Sequence, residues 1–227
     1  MEKIYDKNLD NLAKKSAEAL DREIKALFGQ KSQIVLAIPG GRSVVPLFKE
    51  LKNLDLPWKK IHIFMVDERR VPLDSPDSNF KLAQENFIDQ LVAKKLLPKE
   101  NLHPYLEDKG IESYENELKK FAGSFDVVIL GVGQDGHCAA LYPNHPSIKD
   151  ESKYFITLND SPKPPAKRMS ASKNLIARAK VCFVLFIGQS KKSAYADFLS
   201  GEIKLRDCPA KIAGLAQKTF VVTNLKF

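Results

Sequence analysis

The sequence predicts an α/β fold: a single domain in which helices flank a mostly parallel sheet. Residues 33–38, 61–66, 125–130 and 181–187 are apolar runs of strand length without polar alternation, the pattern of strands buried on both faces. Segments with apolar residues at helical spacing separate them, and such alternation is the signature of a parallel sheet. The chain has 227 residues and shows no internal repeat and no linker long enough to divide it, so residues 1–227 read as one domain.

The elements follow in order. Residues 6–28 place Leu9, Leu12, Ala13, Ala17, Leu20, Ile24 and Leu27 at helical spacing, and Gly29 suits the stop. After the strand at 33–38, Pro39-Gly-Gly-Arg-Ser43 forms a turn, and a helix runs to about Leu51. The second strand, at 61–66, opens into a polar loop rich in Pro and Asp that reaches Ser78. A helix through Ala93 follows, with Asp77-Ser78-Asn79 as its cap, and then a shorter helix at 111–121. The third strand covers 125–130. Pro162, Pro164 and Pro165 mark a loop rather than a domain boundary. The strand at 181–187, a helix from about Ser190 and a closing strand at 219–222 complete the chain.

Composition removes several classes of function. No apolar run approaches the ~20 residues that span a bilayer, and the amino terminus lacks the apolar core of a signal peptide. Cys138, Cys182 and Cys208 are an odd, widely spaced set without a CxxC pair, so neither a disulfide framework nor a zinc site is indicated. A cytoplasmic setting is expected. The net charge of +8 invites a nucleic-acid partner, but the lysines sit largely in exposed-looking pairs such as Lys59-Lys60 and Lys119-Lys120, without interleaved aromatics. Neither a nucleic acid nor a membrane is expected as a partner; a basic balance suits a small anion weakly.

The richest segment is Phe125-Asp-Val-Val-Ile-Leu-Gly-Val-Gly-Gln-Asp-Gly-His137. An apolar strand breaks into a glycine-rich turn that delivers an Asp and one of only four histidines to the carboxyl edge of the sheet, where open α/β folds bind ligands. Gly131, Gly133 and Gly136 formally match the dinucleotide fingerprint, which requires a helix starting among the glycines. Pro143 and Pro146 leave little room for one, and the first strand–helix turn holds Pro39-Gly40-Gly41-Arg42 instead. That turn can seat an anion on backbone N–H groups, Ser43 and Arg42, or it can be a tight turn with Ser43 as N-cap. Asp67-Glu68-Arg69 follows the second strand and faces the same edge, as a site or as a solvated turn. Cys138 lacks a second base, His145 falls outside zinc-ligand spacing, and His62 and His103 look structural.

Taken together, these segments resemble the 6-phosphogluconolactonase family, within the larger group of sugar-phosphate isomerases and deaminases. The resemblance rests on Pro39-Gly-Gly-Arg-Ser43, Val66-Asp-Glu-Arg69 with Asp77-Ser-Asn79, Gly131 to His137 with Leu141-Tyr-Pro143, Pro164-Pro165 with Arg168-Met-Ser170, and Gly188-Gln-Ser-Lys191. It implies a Rossmann-like sheet of the NagB/RpiA/CoA-transferase-like kind. The family more often has Gly-Gly-Ser-Thr-Pro in the first loop, where this chain has Arg42 before Ser43; Cys138, Ala140 and Tyr142 also depart from the family's usual residues. Glucosamine-6-phosphate deaminases carry a catalytic Glu five residues after the corresponding His, and this chain has Tyr142 there.

The implied reaction is hydrolysis of 6-phospho-D-glucono-1,5-lactone, with the sister isomerase or deaminase activity and a non-catalytic sugar-phosphate binding protein as alternatives. A lactone carbonyl is already electrophilic, so a positioned base suffices, and a neutral imidazole at His137 suits that role. Asp135 orients the His or holds a sugar hydroxyl. The backbone from Gly133 to Gly136, or Arg69, meets the developing oxyanion. Gly40, Gly41, Arg42, Ser43 and Asp67 are assigned to substrate and phosphate, and the resemblance adds Arg168 and Lys191. No metal or organic cofactor is called for.

Overall fold

The computed structural model describes residues 1–226. Strand β1 (Glu2–Tyr5) leads into helix α1 (Leu9–Phe28), started by Asn8, whose side-chain oxygen accepts from the N–H groups of Asp10 (2.9 Å) and Asn11 (3.0 Å). Leu12, Leu20, Ile24 and Leu27 make its buried stripe. Strand β2 (Ile34–Ile38), helix α2 (Val45–Leu51) and strand β3 (Ile61–Met65) follow, then β4 (Asp67–Arg69), α3 (Asn79–Ala83) and α4 (Asp89–Ala93). The remainder runs β5 (Leu102–His103), α5 (Gly110–Lys119), β6 (Val127–Gly131), α6 (Pro146–Lys149), β7 (Phe155–Leu158) and β8 (Arg168–Ala171). It ends with α7 (Lys173–Ala177), β9 (Val181–Phe186), α8 (Lys192–Leu199) and β10 (Lys218–Thr223).

Seven strands form one parallel sheet in the order β1-β10-β9-β6-β2-β3-β5. Every residue of β2, β3 and β9 is buried, as strands covered on both faces must be. From β2 the chain steps outward to β3 and β5, then returns to β6 on the other side of β2. The connections leaving the carboxyl ends of β2 and β6 therefore diverge, and the crevice between them is where such a sheet admits a ligand. At the opposite end, the fully buried Asp126 carboxylate accepts from Lys31 Nζ (2.7 and 2.8 Å) and Val35 N–H (2.9 Å), with Lys180 Nζ at 3.5 Å. One carboxylate thus pins the amino ends of β2, β6 and β9 while the carboxyl ends open. Removing one partner would leave a buried charge uncompensated.

Five strands depart from the reading by apolar runs. Strands β1, β5, β7 and β8 are short and mixed in polarity, and β4 lies in what reads as a polar loop. Strands β4, β8 and β7 pair antiparallel in a second, three-stranded sheet, with Arg69 opposite Arg168. Asp67-Glu68-Arg69 has no apolar residue to announce a strand; its pairing with β8 makes it one. The helix expected through Ala93 is broken by a π-helical turn over Gln84–Ile88. No described helix is long and apolar enough to cross a membrane.

His62 and His103 are buried neighbours in β3 and β5, with Nδ1 of the first 3.1 Å from Nε2 of the second, and His103 stacks on Phe64 at 4.2 Å. Burial lowers the basicity of both, carrying His103 down to about 4, with the neighbouring His62 adding to the effect. An imidazole kept neutral in the folded state lets the unfolded chain take up the proton first. Stability contributed by this neutral form is therefore full above ~6.5 and is lost as pH falls toward 4. Urea unfolding at pH 7 and pH 4.5 should show the wild type losing about 2–3 kcal/mol more than His103→Gln. Equal losses would show that the histidine pair does not carry the acid sensitivity.

Candidate active site

The loops leaving β2 and β6 meet at the crevice. A Cβ on Gly40 would overlap the Asn79 side chain, and one on Gly131 would lie 3.7 Å from the Gly40 carbonyl oxygen and 3.8 Å from Ser43 Oγ. Gly41 adopts φ +90°, open to glycine and strained for other residues. A 3-10 turn over Arg42–Val44 precedes α2, and Ser43 caps neither helix: the N-cap positions are Gly41 and Val44, without side-chain bonds. The Ser43 hydroxyl therefore belongs to the cleft, not to the turn.

Strand β4 presents alternate side chains to opposite sides. Glu68, 1% exposed, accepts from the N–H groups of Arg69, Asn79 and Phe80, each at 2.7 Å, and from Ser78 Oγ at 3.2 Å. Ser78 is the N-cap of α3, its Oγ accepting from Lys81 N–H at 3.1 Å. Asp67 and Arg69 face the cleft instead. The Asn79 amide donates to the Asp67 carbonyl (2.9 Å) and carboxylate (3.2 Å). Burial pushes the Asp67 carboxyl up, against the pull of Arg69, Arg168 and His137. Arg69 Nη1 donates to the Asp77 carbonyl at 2.5 Å, while its buried Nε has no partner among the described residues. Arg168, 4% exposed, spends Nε on Pro165 O (2.8 Å) and Nη2 on Pro164 O (2.9 Å) and Lys163 O (3.3 Å).

The turn after β6 is built on its own backbone. Gly133 N–H donates to His137 O (2.8 Å), and Gly136 N–H to Gly133 O (3.2 Å). Gly136 has φ +81°, whereas Gly133 is required for space: a Cβ there would overlap the His137 ring and press on the Asp135 carboxylate. Asp135 Oδ1 lies 2.5 Å from His137 Nδ1, which assigns the ring proton to Nδ1 and leaves the Nε2 lone pair free. Burial works to raise the Asp135 carboxyl, but the hydrogen bond and charge of His137 override it and hold the group below the usual carboxylate range. The Tyr142 ring packs 4.9 Å from the imidazole. Cys138 is fully buried, and burial pushes its thiol well up, which removes it as a nucleophile.

These loops enclose a cleft of about 600 Å³ lined by Gly40, Gly41, Arg42, Ser43, Asp67, Arg69, His137, Arg168 and Lys191. The other residues expected from the sequence are split: Gly133 and Gln134 are also on its wall, whereas Asp135 stands one hydrogen bond behind His137 and Gly136 does not line the cleft. Lys191 lies on the turn after β9. Burial lowers its basicity against the opposing pull of Asp135. No helix starts among Gly131, Gly133 and Gly136; the next helix is the single turn α6, capped by His145. Of the N–H groups offered to an oxyanion, those of Gly133 and Gly136 are already spent. Sequence reasoning missed Lys163, whose Nζ lies 3.4 Å from Asp135 Oδ2 and which also lines the cleft; its flanking prolines signalled only a loop. Among the described residues, no three His, Cys, Asp or Glu side chains are placed to hold a metal ion.

Known proteins resemble this chain in sequence and in fold. The family described as glucosamine-6-phosphate isomerases/6-phosphogluconolactonase matches residues 7–222. The chain is 32% identical to the 6-phosphogluconolactonase of Borreliella burgdorferi, across 84% of this chain and 83% of that protein. It is also 32% identical to the 6-phosphogluconolactonase of Synechocystis sp., across 90% and 87%. The crystal structure of 6-phosphogluconolactonase from Thermotoga maritima shares the fold, with a TM-score of 0.86 over 99% of each chain at 24% identity.

Gly133→Ala tests the packing of the turn. The added methyl displaces the imidazole and its carboxylate without touching the sheet, so turnover that depends on His137 should fall about a hundredfold, with the unfolding midpoint nearly unchanged. A fully active Gly133→Ala enzyme would mean that this placement of His137 does not matter.

Proposed function

The chain belongs to the glucosamine-6-phosphate isomerase/6-phosphogluconolactonase family, and from that premise we propose that it is a 6-phosphogluconolactonase. It hydrolyses 6-phospho-D-glucono-1,5-lactone to 6-phospho-D-gluconate in the oxidative pentose phosphate pathway. The observation that carries this reading is the Asp135–His137 contact of 2.5 Å, which leaves Nε2 free in a cleft whose other charged groups are mainly cations.

Water attacks the lactone carbonyl while Nε2 takes its proton, and the carbonyl becomes a tetrahedral oxyanion. Collapse breaks the bond from C1 to the ring oxygen, and the imidazolium returns the proton to that oxygen. Asp135 keeps the ring oriented and stabilises the imidazolium between the two steps. Arg69, whose side chain lines the cleft, meets the oxyanion, because the N–H groups of Gly133 and Gly136 are engaged within the turn. Gly40, Gly41, Arg42, Ser43, Arg168 and Lys191 hold the phosphate, whereas the Asp67 carboxylate suits a sugar hydroxyl. Water is the only co-reactant. Three buried, unpaired cysteines suit a cytoplasmic setting.

The deaminase alternative needs a second acid/base at position 142. Tyr142 is 2% exposed there, burial pushes its phenol up, and its hydroxyl lies 2.9 Å from Ser161 Oγ. It is fixed in packing and offers no carboxylate.

A fast assay on freshly made lactone, corrected for spontaneous hydrolysis, separates catalysis from mere binding; a wild type that fails to accelerate the reaction ends the lactonase reading. His137→Ala should lower kcat by about a hundredfold or more, and a near-normal rate removes it as the base. Lys191→Ala should lose about ten- to a hundredfold in kcat/KM, the value of a charge-assisted hydrogen bond. The loss should be confined to the phosphorylated lactone. Equal losses on unphosphorylated gluconolactone would overturn the phosphate assignment.

A further inference from the structure

The carboxylate that orients His137 is shared. Asp135 offers Oδ1 to His137 Nδ1 at 2.5 Å and Oδ2 to Lys163 Nζ at 3.4 Å. The backbone of Lys163 is fixed from several sides. Its N–H donates to Ser161 Oγ (3.2 Å), and its carbonyl lies 2.9 Å from Ser161 Oγ and accepts from Arg168 Nη2 (3.3 Å). Ser161 in turn touches the hydroxyl of Tyr142, whose ring packs on the imidazole. Contacts therefore close around His137 from two directions: through Tyr142 against its ring face, and through Asp135 at Nδ1. Yet the Lys163 side chain is 50% exposed, so its ammonium is not a packing strut and can be removed at little expense to the fold.

We propose that Lys163 is a positioning residue that acts through Asp135 to set the pH range over which His137 works as a base. The inference rests on the reading of His137 as that base. A carboxylate beside an imidazole stabilises the imidazolium, and the stronger its field, the higher the pH at which the base is lost to protonation. An ammonium on the other carboxylate oxygen offsets part of that field and holds the carboxylate in one orientation. Other charges also face this centre. Asp67 and Arg69 come from β4, Arg168 from β8, and Lys191 from the turn after β9, where it too bears on Asp135. Lys191 acts on Asp135 only at longer range, so among the described residues Lys163 is the lysine in ion-pair contact with Asp135.

The test uses unphosphorylated gluconolactone, because a phosphate monoester itself titrates near ~6 and would mask the limb. In Lys163→Met the acid limb of kcat/KM should move to higher pH by about half a unit, the effect of one partly screened charge. Lys163→Arg should return it to the wild-type position. At a pH on the acid limb, the Lys163→Met loss relative to wild type should be the same on phosphorylated and unphosphorylated lactone. An unmoved limb, or a limb that stays displaced in Lys163→Arg, overturns the proposal. So does a loss confined to the phosphorylated lactone as raised KM, which would make Lys163 a phosphate ligand. His137→Asn separates the two levels: if it keeps the wild-type rate, the base reading falls and takes the proposal with it. If it is inactive while the Lys163→Met limb stays in place, only the role of Lys163 falls.

Discussion

The site depends on one buried carboxylate that does not touch the cleft. Glu68 makes no ion pair among the described residues; three backbone N–H groups and a serine hydroxyl compensate its charge, two of the former from the start of α3. Burial pushes this carboxyl up, and those donors oppose the shift. The bonds tie β4 to the helix ten residues later and so fix Asp67 and Arg69 on the cleft side of the same strand. They also place Asn79, whose amide holds Asp67 and whose side chain occupies the space left by the absent Cβ of Gly40. Through Asn79, the loop after β2 is registered against the loop after β3. Three of the walls around the crevice thus follow from the seating of one side chain.

A second constraint is electrostatic. Arg69 and Arg168 stand opposite each other in the β4–β8 register, and like charges in that relation are destabilising. Lys163 and Lys191 add cations nearby, and the buried Asp67 offsets only part of the total. Arg168 relieves some of the repulsion by giving two of its nitrogens to the carbonyls of residues 163–165. What remains is a cleft with surplus positive charge held by backbone that cannot move away from it. An anionic ligand would relieve that repulsion on binding, which favours the proposed phosphorylated substrate over its neutral parent.

The parts legible in the sequence were those with a repeating signal or a local motif. Continuous apolar runs announced β2, β3, β6 and β9, because strands buried on both faces need no polar alternation. The loops after them stood out by glycine and charge at the sheet edge, and most of the expected residues line one cleft there. The three-stranded sheet was not legible. Asp67-Glu68-Arg69 is a strand only because β8 pairs with it, and that partner lies about a hundred residues away. Ser43 had two local readings, and only the position of the helix caps decides between them. Lys163 was hidden for a related reason: its significance is its distance to Asp135, and nothing within its own loop refers to that residue.

The glycine-rich turn shows how the same residue types reach opposite chemistry. A nucleotide-binding glycine loop leaves its N–H groups pointing outward at phosphate. Here two of them close on the turn itself, Gly133 onto His137 and Gly136 onto Gly133, so the loop becomes rigid and offers an anion less. On the proposed reading, other loops hold the phosphate. That separation has a chemical consequence. A dianion seated directly on His137 would stabilise the imidazolium and disable the base, whereas one held by Arg168, Lys191 and the turn at Gly40–Ser43, as proposed, would leave the Nε2 lone pair available to water. On that reading the turn can present a base because two of its N–H groups no longer serve the usual role of a glycine-rich loop.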